Sequence, residues 1–206
     1  MNIHRTLAAS IALAFVAPAF AQSVSPICDA ALRAAAPRVK LTTSMGPIVI
    51  ELNNEKAPIS TDNFIRYVDS GHYNGTVFHR VIDGFMVQGG GMDKGMREKP
   101  TRSAIKNEST NGLKNDEYTV SMARTQVRDS ATSQFFINVK QNDFLNYTGD
   151  MNPGYAVFGK VVEGKETVDK IKKVPTGKAG PFENVPKEPV VLEKAECVAP
   201  SAAAAK

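Results

Sequence analysis

Tryptophan is absent from this chain, and cysteine and histidine are scarce: 206 residues include two cysteines and three histidines. Two cysteines cannot build a disulfide-dense scaffold or a four-cysteine zinc site. Three histidines leave little material for a histidine-rich metal centre, and no metal or other cofactor is called for. A surplus of one charge is lacking too. Lys+Arg number 25 against 21 Asp+Glu, a formal net charge of +4. Charge this mild argues against nucleic acid as a partner, because phosphate binding needs a clustered basic face. Long apolar runs are also missing. The longest, Leu7 to Val16, is too short to span a bilayer, so no membrane anchor is expected. What is present is 42% hydrophobic residues, enough for one core in one domain.

Residues 1–21 read as a secretory signal. His4 and Arg5 give a polar, basic start, the apolar run follows, and Ala19-Phe20-Ala21 is a small-x-small cleavage site. Export, into the periplasm of a cell with two membranes, changes how the cysteines are read. Cys28 and Cys197 stand near opposite ends of the mature chain. In an oxidising compartment they form a candidate disulfide, the alternative being two buried thiols. Residues 22–37 look like an N-terminal extension, with a short helix over Asp29 to Ala36 ended by Pro37. Residues 38–198 form the domain, and 199–206 an Ala-rich, disordered tail.

The domain is mainly β. Val39, Leu41 and Thr43 alternate with polar residues, Met45-Gly46-Pro47 turns, and Ile48 to Ile50 resumes the apolar pattern. Further strands are expected over Thr76–Arg80, Phe85–Gly89, Thr119–Ala123, Gln134–Val139, Ala156–Val162 and Val190–Glu196. One helix starts near Pro58 and stops at Gly71; a second covers about Glu163–Lys172. Many strands with two helices fit a closed antiparallel barrel, and packing logic alone does not separate this from a sandwich.

Two segments carry candidate chemistry. Residues 78–91 read Phe-His-Arg-Val-Ile-Asp-Gly-Phe-Met-Val-Gln-Gly-Gly-Gly. If Phe85–Gly89 is a strand, Phe85, Val87 and Gly89 share one face, and Met86 and Gln88 the other. The glycines fail as a phosphate loop, since no Gly-Lys-Ser follows and no Gly-x-Gly-x-x-Gly opens a helix. They fit a bulge or close backbone packing instead. Residues 132–138 read Thr-Ser-Gln-Phe-Phe-Ile-Asn. Here Gln134, Phe136 and Asn138 face one way and Phe135 and Ile137 the other. Taken alone, both phenylalanines read as core.

Together these residues resemble a known family. Phe78-His79-Arg80-Val81-Ile82 with Gly84-Phe85-Met86-Val87-Gln88-Gly89-Gly90 looks like the signature of cyclophilin-type peptidyl-prolyl isomerases. Ser121-Met122-Ala123-Arg124, Ser133-Gln134-Phe135-Phe136-Ile137 and Val157-Phe158-Gly159-Lys160-Val161 match further motifs, over about Val39 to Ala195. Arg124-Thr125 and Asn184-Val185-Pro186 are most similar to the periplasmic bacterial branch. The resemblance implies a closed eight-stranded barrel capped by two helices. It implies a monomer that accelerates Xaa-Pro rotation in proline-containing, unfolded or flexible exported polypeptides. By the same resemblance Arg80 is the catalytic hydrogen-bond donor, with Phe85 and Gln88 beside it. Met86, Phe136 and Leu145 wall the proline pocket. Gln134 binds substrate backbone or orients Arg80, and Met122, Ala123 and Arg124 meet residues before the proline.

Two positions depart from the best-known pattern of that family. Phe144 replaces its tryptophan and Tyr155 its histidine, both at the substrate-binding rim. Phenylalanine loses the indole N–H donor, so only weak cyclosporin binding is expected, because that tryptophan is the family's contact to the drug. Glu117 and Tyr118 stand where relatives often carry glycine or small residues. Two rival readings remain. A module that binds proline-containing loops uses the same pocket. A hydrolase is poorly supported: there is no Gly-x-Ser-x-Gly elbow, and His72 and His79 lack metal-ligand spacing.

Overall fold

The structure, a computed structural model, describes residues 25–198. The signal expected at 1–21 and the tail expected at 199–206 lie outside these residues. Nine strands join one antiparallel sheet: β1 (Arg38–Thr43), β2 (Gly46–Leu52), β3 (Thr76–Val77), β4 (Arg80–Ile82), β5 (Met86–Gly89), β6 (Thr119–Met122), β7 (Phe135–Asn138), β8 (Val157–Glu163) and β11 (Val191–Val198). Their order is β3-β11-β1-β2-β8-β6-β7-β5-β4. The edge strands β3 and β4 are separated in the chain by Phe78 and His79 alone. The sheet therefore curls until its edges are neighbours in sequence, although no ladder joins them.

This corrects the expected closed eight-stranded barrel with two helices. The sheet has nine strands, because the single strand expected over Thr76–Arg80 is two. Phe78 N donates to Val190 O at 2.9 Å, which carries the chain off one edge before Arg80 begins the other. Three α-helices accompany the sheet: α1 (Pro26–Arg33), α2 (Pro58–Asp69) and α3 (Lys165–Lys172). A small hairpin, β9 (Thr176–Ala179) and β10 (Phe182–Pro186), pairs apart from the main sheet.

Alternation explains the core. In β1 Val39, Leu41 and Thr43 are buried, and in β2 Ile48, Ile50 and Leu52. The register pairs Val39 with Ile50 and Leu41 with Ile48, so both apolar rows point to one face. Helix α2 lays Phe64 into that face, 5.3 Å from Phe135 and 5.2 Å from Phe158 between ring centroids. Glu108 reaches from a distant loop to cap α2, accepting from Ile59 N at 3.0 Å and Ser60 N at 2.8 Å. It satisfies two of the free N–H groups that every helix start exposes.

The N-terminal stretch packs against the domain. Cys28 on α1 is bonded to Cys197 on β11, with Cα atoms 5.3 Å apart. Helix α1 begins at Pro26, where the Ser25 side chain accepts from Cys28 N, and ends at Arg33, earlier than expected. Asn54 Nδ2 then donates to the carbonyls of Leu32 and Ala34, at 3.1 Å each. Tyr118 has φ +64°, in the left-handed region that glycine adopts freely. Its hydroxyl donates to Asp169 at 3.0 Å, tying the turn before β6 to α3.

Candidate functional site

Arg80 is opposite Gln88 on β5, Gln88 is opposite Phe136 on β7, and Phe136 is opposite Ser121 on β6. Residues directly opposite in antiparallel strands project to the same face. Arg80, Gln88 and Phe136 thus form a transverse row on the face away from the main core. The adjacent row, Val81, Val87, Ile137 and Val120, points inward and is fully or almost fully buried. One-residue alternation across four strands separates a polar–aromatic surface from the core beneath it.

Above the outer row lies a hollow of about 120 Å³. Met86, Phe136 and Leu145 form its floor as a small apolar cluster, with Phe85, Ala123 and Tyr155 packed against it. Arg80, Gln88 and Arg124 supply the polar lining. The Arg80 guanidinium lies 6.0 Å from the Phe85 ring centroid. Gln88 Nε2 donates to Gln134 Oε1 at 2.9 Å, so Gln134 braces the lining from behind it. Gly91 makes room for this brace, since a Cβ there would collide with Gln134 Cγ. The triple glycine serves close packing. Phe144 sits at the rim, 65% exposed, its ring 5.5 Å from that of Phe85.

Two expectations fail here. Met122, expected to meet substrate, is 2% exposed in the main core. It is opposite Phe135 and shares that residue's inward face, leaving Ala123 to line the hollow. Phe85, expected on the Val87 face, precedes β5 and packs with the pocket cluster instead. Strand alternation does not govern a residue in the turn.

A buried asparagine network holds the pocket walls, and sequence reasoning missed most of it. Asn142 Nδ2 donates to Phe85 O at 2.9 Å and to Asn138 Oδ1 at 2.7 Å. Asn138 Nδ2 and Ser121 Oγ both donate to Asn115 Oδ1, at 3.2 and 2.7 Å. Asn115 N in turn donates to Asn146 Oδ1 at 2.8 Å, next to Leu145. The only advance signal was asparagine at 138, 142 and 146; nothing in their spacing indicated that Asn115 joins them. His79, beside Arg80, is 6% exposed. Burial, and secondarily the Arg80 charge, lowers its pKa to about 4, so it is a neutral structural residue at pH 7.

A larger hollow of about 380 Å³ lies between residues 35–36, 51–55, 113–116 and 157–160. It lacks an aromatic lining, and its Glu51 and Lys160 are paired at 3.4 Å. An uncharged ring fits the smaller pocket better. Among the described residues, no three His, Cys, Asp or Glu gather to hold a metal ion. No helix there is long and apolar enough to cross a membrane.

Comparison with known proteins agrees with the geometry. Residues 38–197 match the family model described as cyclophilin type peptidyl-prolyl cis-trans isomerase. Peptidyl-prolyl cis-trans isomerase A of Dickeya dadantii is 51% identical over 188 residues, covering 91% of this chain and 93% of that protein. Peptidyl-prolyl cis-trans isomerase B of Escherichia coli is 54% identical over 157 residues, covering 75% and 96%. A crystal structure of a Cryptosporidium parvum cyclophilin-type isomerase superposes with a TM-score of 0.67 at 26% identity, covering 80% of this chain and 99% of that one. A second structure of that protein, obtained in the presence of the dipeptide Ala-Pro, gives a TM-score of 0.65, also at 26% identity, covering 79% and 99%.

Proposed function

The chain belongs to the cyclophilin-type peptidyl-prolyl cis-trans isomerases, and from that premise we propose that its small pocket holds the proline ring while Arg80 stabilises the twisted amide. The observation that carries this reading is the Arg80–Gln88–Phe136 row, which sets a guanidinium beside an apolar floor. Rotation about an Xaa-Pro bond is slow because the amide C–N bond is partly double, with a barrier of roughly 18–20 kcal/mol. No covalent bond need break. As the amide twists, its nitrogen loses conjugation, becomes pyramidal and accepts a hydrogen bond better. A fixed guanidinium then interacts more strongly with the transition state than with the planar ground state, the requirement for catalysis. Arginine suits this role because it stays charged and its planar fork holds direction.

Met86, Phe136 and Leu145 fix the ring, and Phe85 closes the side nearest Arg80. Gln88, held by Gln134, keeps the polar edge in register with Arg80. Ala123, Arg124 and Tyr155 receive the flanking chain. The protein acts as a monomer on proline-containing segments of unfolded or flexible exported proteins in the periplasm. The leader-like residues 1–21 and the Cys28–Cys197 bond support an oxidising compartment.

The test is a protease-free isomerisation assay on Xaa-Pro peptides. Arg80→Ala is expected to lower kcat/KM by about 100-fold or more, the scale seen when one fixed transition-state donor is removed. Peptide binding survives. An inactive wild type that still binds peptides would make the domain a binding module. Cell fractionation tests the compartment: protein confined to the cytoplasm overturns the export reading.

A further inference from the structure

The hollow is lined by two guanidinium groups and by no carboxylate among the described residues. Arg80 has its place in the reading above, on which this inference rests. Arg124 has further capacity. Its Nε donates to Gly154 O at 2.9 Å and its Nη1 to Thr125 O at 2.8 Å. Its guanidinium stacks on the Tyr155 ring, 4.5 Å from the centroid. Tyr155 meets Phe136 edge-on at 5.7 Å, so the cation stands one ring away from the pocket floor. No carboxylate among the described residues pairs with it. Of the acids closest to it in the chain, Asp129 accepts from Asn107 N, and Asp150, in the stretch before Tyr155, lies 3.4 Å from Arg128. Of the five guanidinium N–H groups, two are used, and the rest have no protein acceptor among the described residues.

A guanidinium fixed in direction, half-buried and without a counterion, is a preorganised receptor for a carboxylate. Arg124 lines the same hollow as Met86, Phe136 and Leu145, and an extended chain advances about 3.3 Å per residue, so the side chains of the residues flanking the ring are the ones that meet this cation. We infer that Arg124 is a specificity determinant, selecting Xaa-Pro segments with Asp or Glu within two residues of the proline and disfavouring Lys or Arg there.

Protease-free kcat/KM on matched peptides with Glu, Gln or Lys, placed at each of the two positions on either side of the proline, tests this. At one position at least, wild type is expected to favour Glu over Lys about tenfold at low salt. The ratio should fall toward about twofold near 0.5 M salt, as screened charge pairs do. Arg124→Gln should remove most of the preference, and Arg124→Lys should retain part of it. A purely structural Arg124, tying residue 154 to residue 125, would slow all peptides alike in the variant. That result, or equal wild-type rates on Glu and Lys peptides at every position, overturns the inference and leaves the isomerase reading intact. Wild type inactive on every peptide overturns both. The wild-type series needs no variant to fold.

Discussion

Phe135 packs edge-on against Phe64, Tyr73 and Phe78, with centroids 5.3, 5.6 and 6.2 Å away, whereas Phe136 lies with Met86, Leu145 and Tyr155 under the hollow. Both are almost fully buried, at 0% and 4% exposure, so burial does not tell them apart. Their surroundings do. The first belongs to a cluster that runs from α1 to β11, the second to three buried residues facing a pocket. The same side chain stabilises the fold on one face of β7 and lines a hollow on the other.

Substitution at each position breaks or sharpens that comparison. Phe135→Ala is expected to lower unfolding stability by about 3–5 kcal/mol, because the rings around it cannot close the cavity. Phe136→Ala should cost only about 1–2 kcal/mol, since truncation there enlarges a space already open to water, but kcat/KM should fall at least about tenfold. Urea unfolding and the isomerisation assay measure the two. Equal stability losses would erase the distinction between the faces.

The Cys28–Cys197 bond belongs to the core side and closes a loop with a sequence separation of 169. Constraining so long a loop stabilises by about 3–5 kcal/mol relative to the reduced chain. A Cys28→Ser/Cys197→Ser variant should lose that much in urea and keep wild-type kcat/KM. A fall in activity at full folding would tie the pocket to the N-terminal clamp.

His79 lies where the two faces meet, and its effect is read through pH. Its folded pKa of about 4 lies below the unfolded value near 6.5. Below pH 6.5 the unfolded chain therefore binds a proton that the folded chain refuses. Stability falls as pH drops through 6.5 toward 4 and levels off beneath that. Between pH 7.5 and 5 the loss is about 2 kcal/mol. His72, also lowered by burial, acts in the same direction. His79→Gln should flatten this slope in pH-dependent urea titrations; an unchanged slope would assign it elsewhere.

These effects also show which parts of the molecule were legible in the sequence. The opposite faces of β7 followed from alternation, as did β1 and β2. Helix α2 followed from Pro58 and from Gly71, whose φ of +69° ends the chain's turn. What failed needed information from distant strands. Met122 is the exception: alternation in β6 already puts it on the inward face with Val120, opposite Phe135. The break between β3 and β4 depends on Val190, over a hundred residues away. The β9–β10 hairpin has no buried apolar alternation to announce it. Strand and helix identities were local, whereas pairing, strand count and the asparagine network were not.

Glu108 provides a smaller test on the core side. It caps α2, the helix that carries Phe64, from a loop whose Ile105 packs against the same core. Glu108→Ala should cost about 1 kcal/mol, the usual value of a lost N-terminal cap, with kcat/KM unchanged. A loss as large as that of Phe135→Ala would mean that the loop itself folds with the core.

Phe144 carries the smallest stability effect and the sharpest test of the pocket side. At 65% exposure it touches the fold mainly through Phe85. Phe144→Trp should therefore change stability by less than about 0.5 kcal/mol, as surface substitutions do. The larger ring restores the indole N–H that phenylalanine lacks. Cyclosporin should inhibit the wild type poorly and the variant at least about tenfold better, a gain of about 1.4 kcal/mol in binding. Catalysis should be nearly unaffected, because the rim ring is separated from Arg80 by Phe85. Nanomolar inhibition of the wild type would refute the argument, since it would show that the drug needs no donor at position 144. A variant with weakened catalysis would place Phe144 among the residues that hold the proline, and move the boundary between rim and pocket inward.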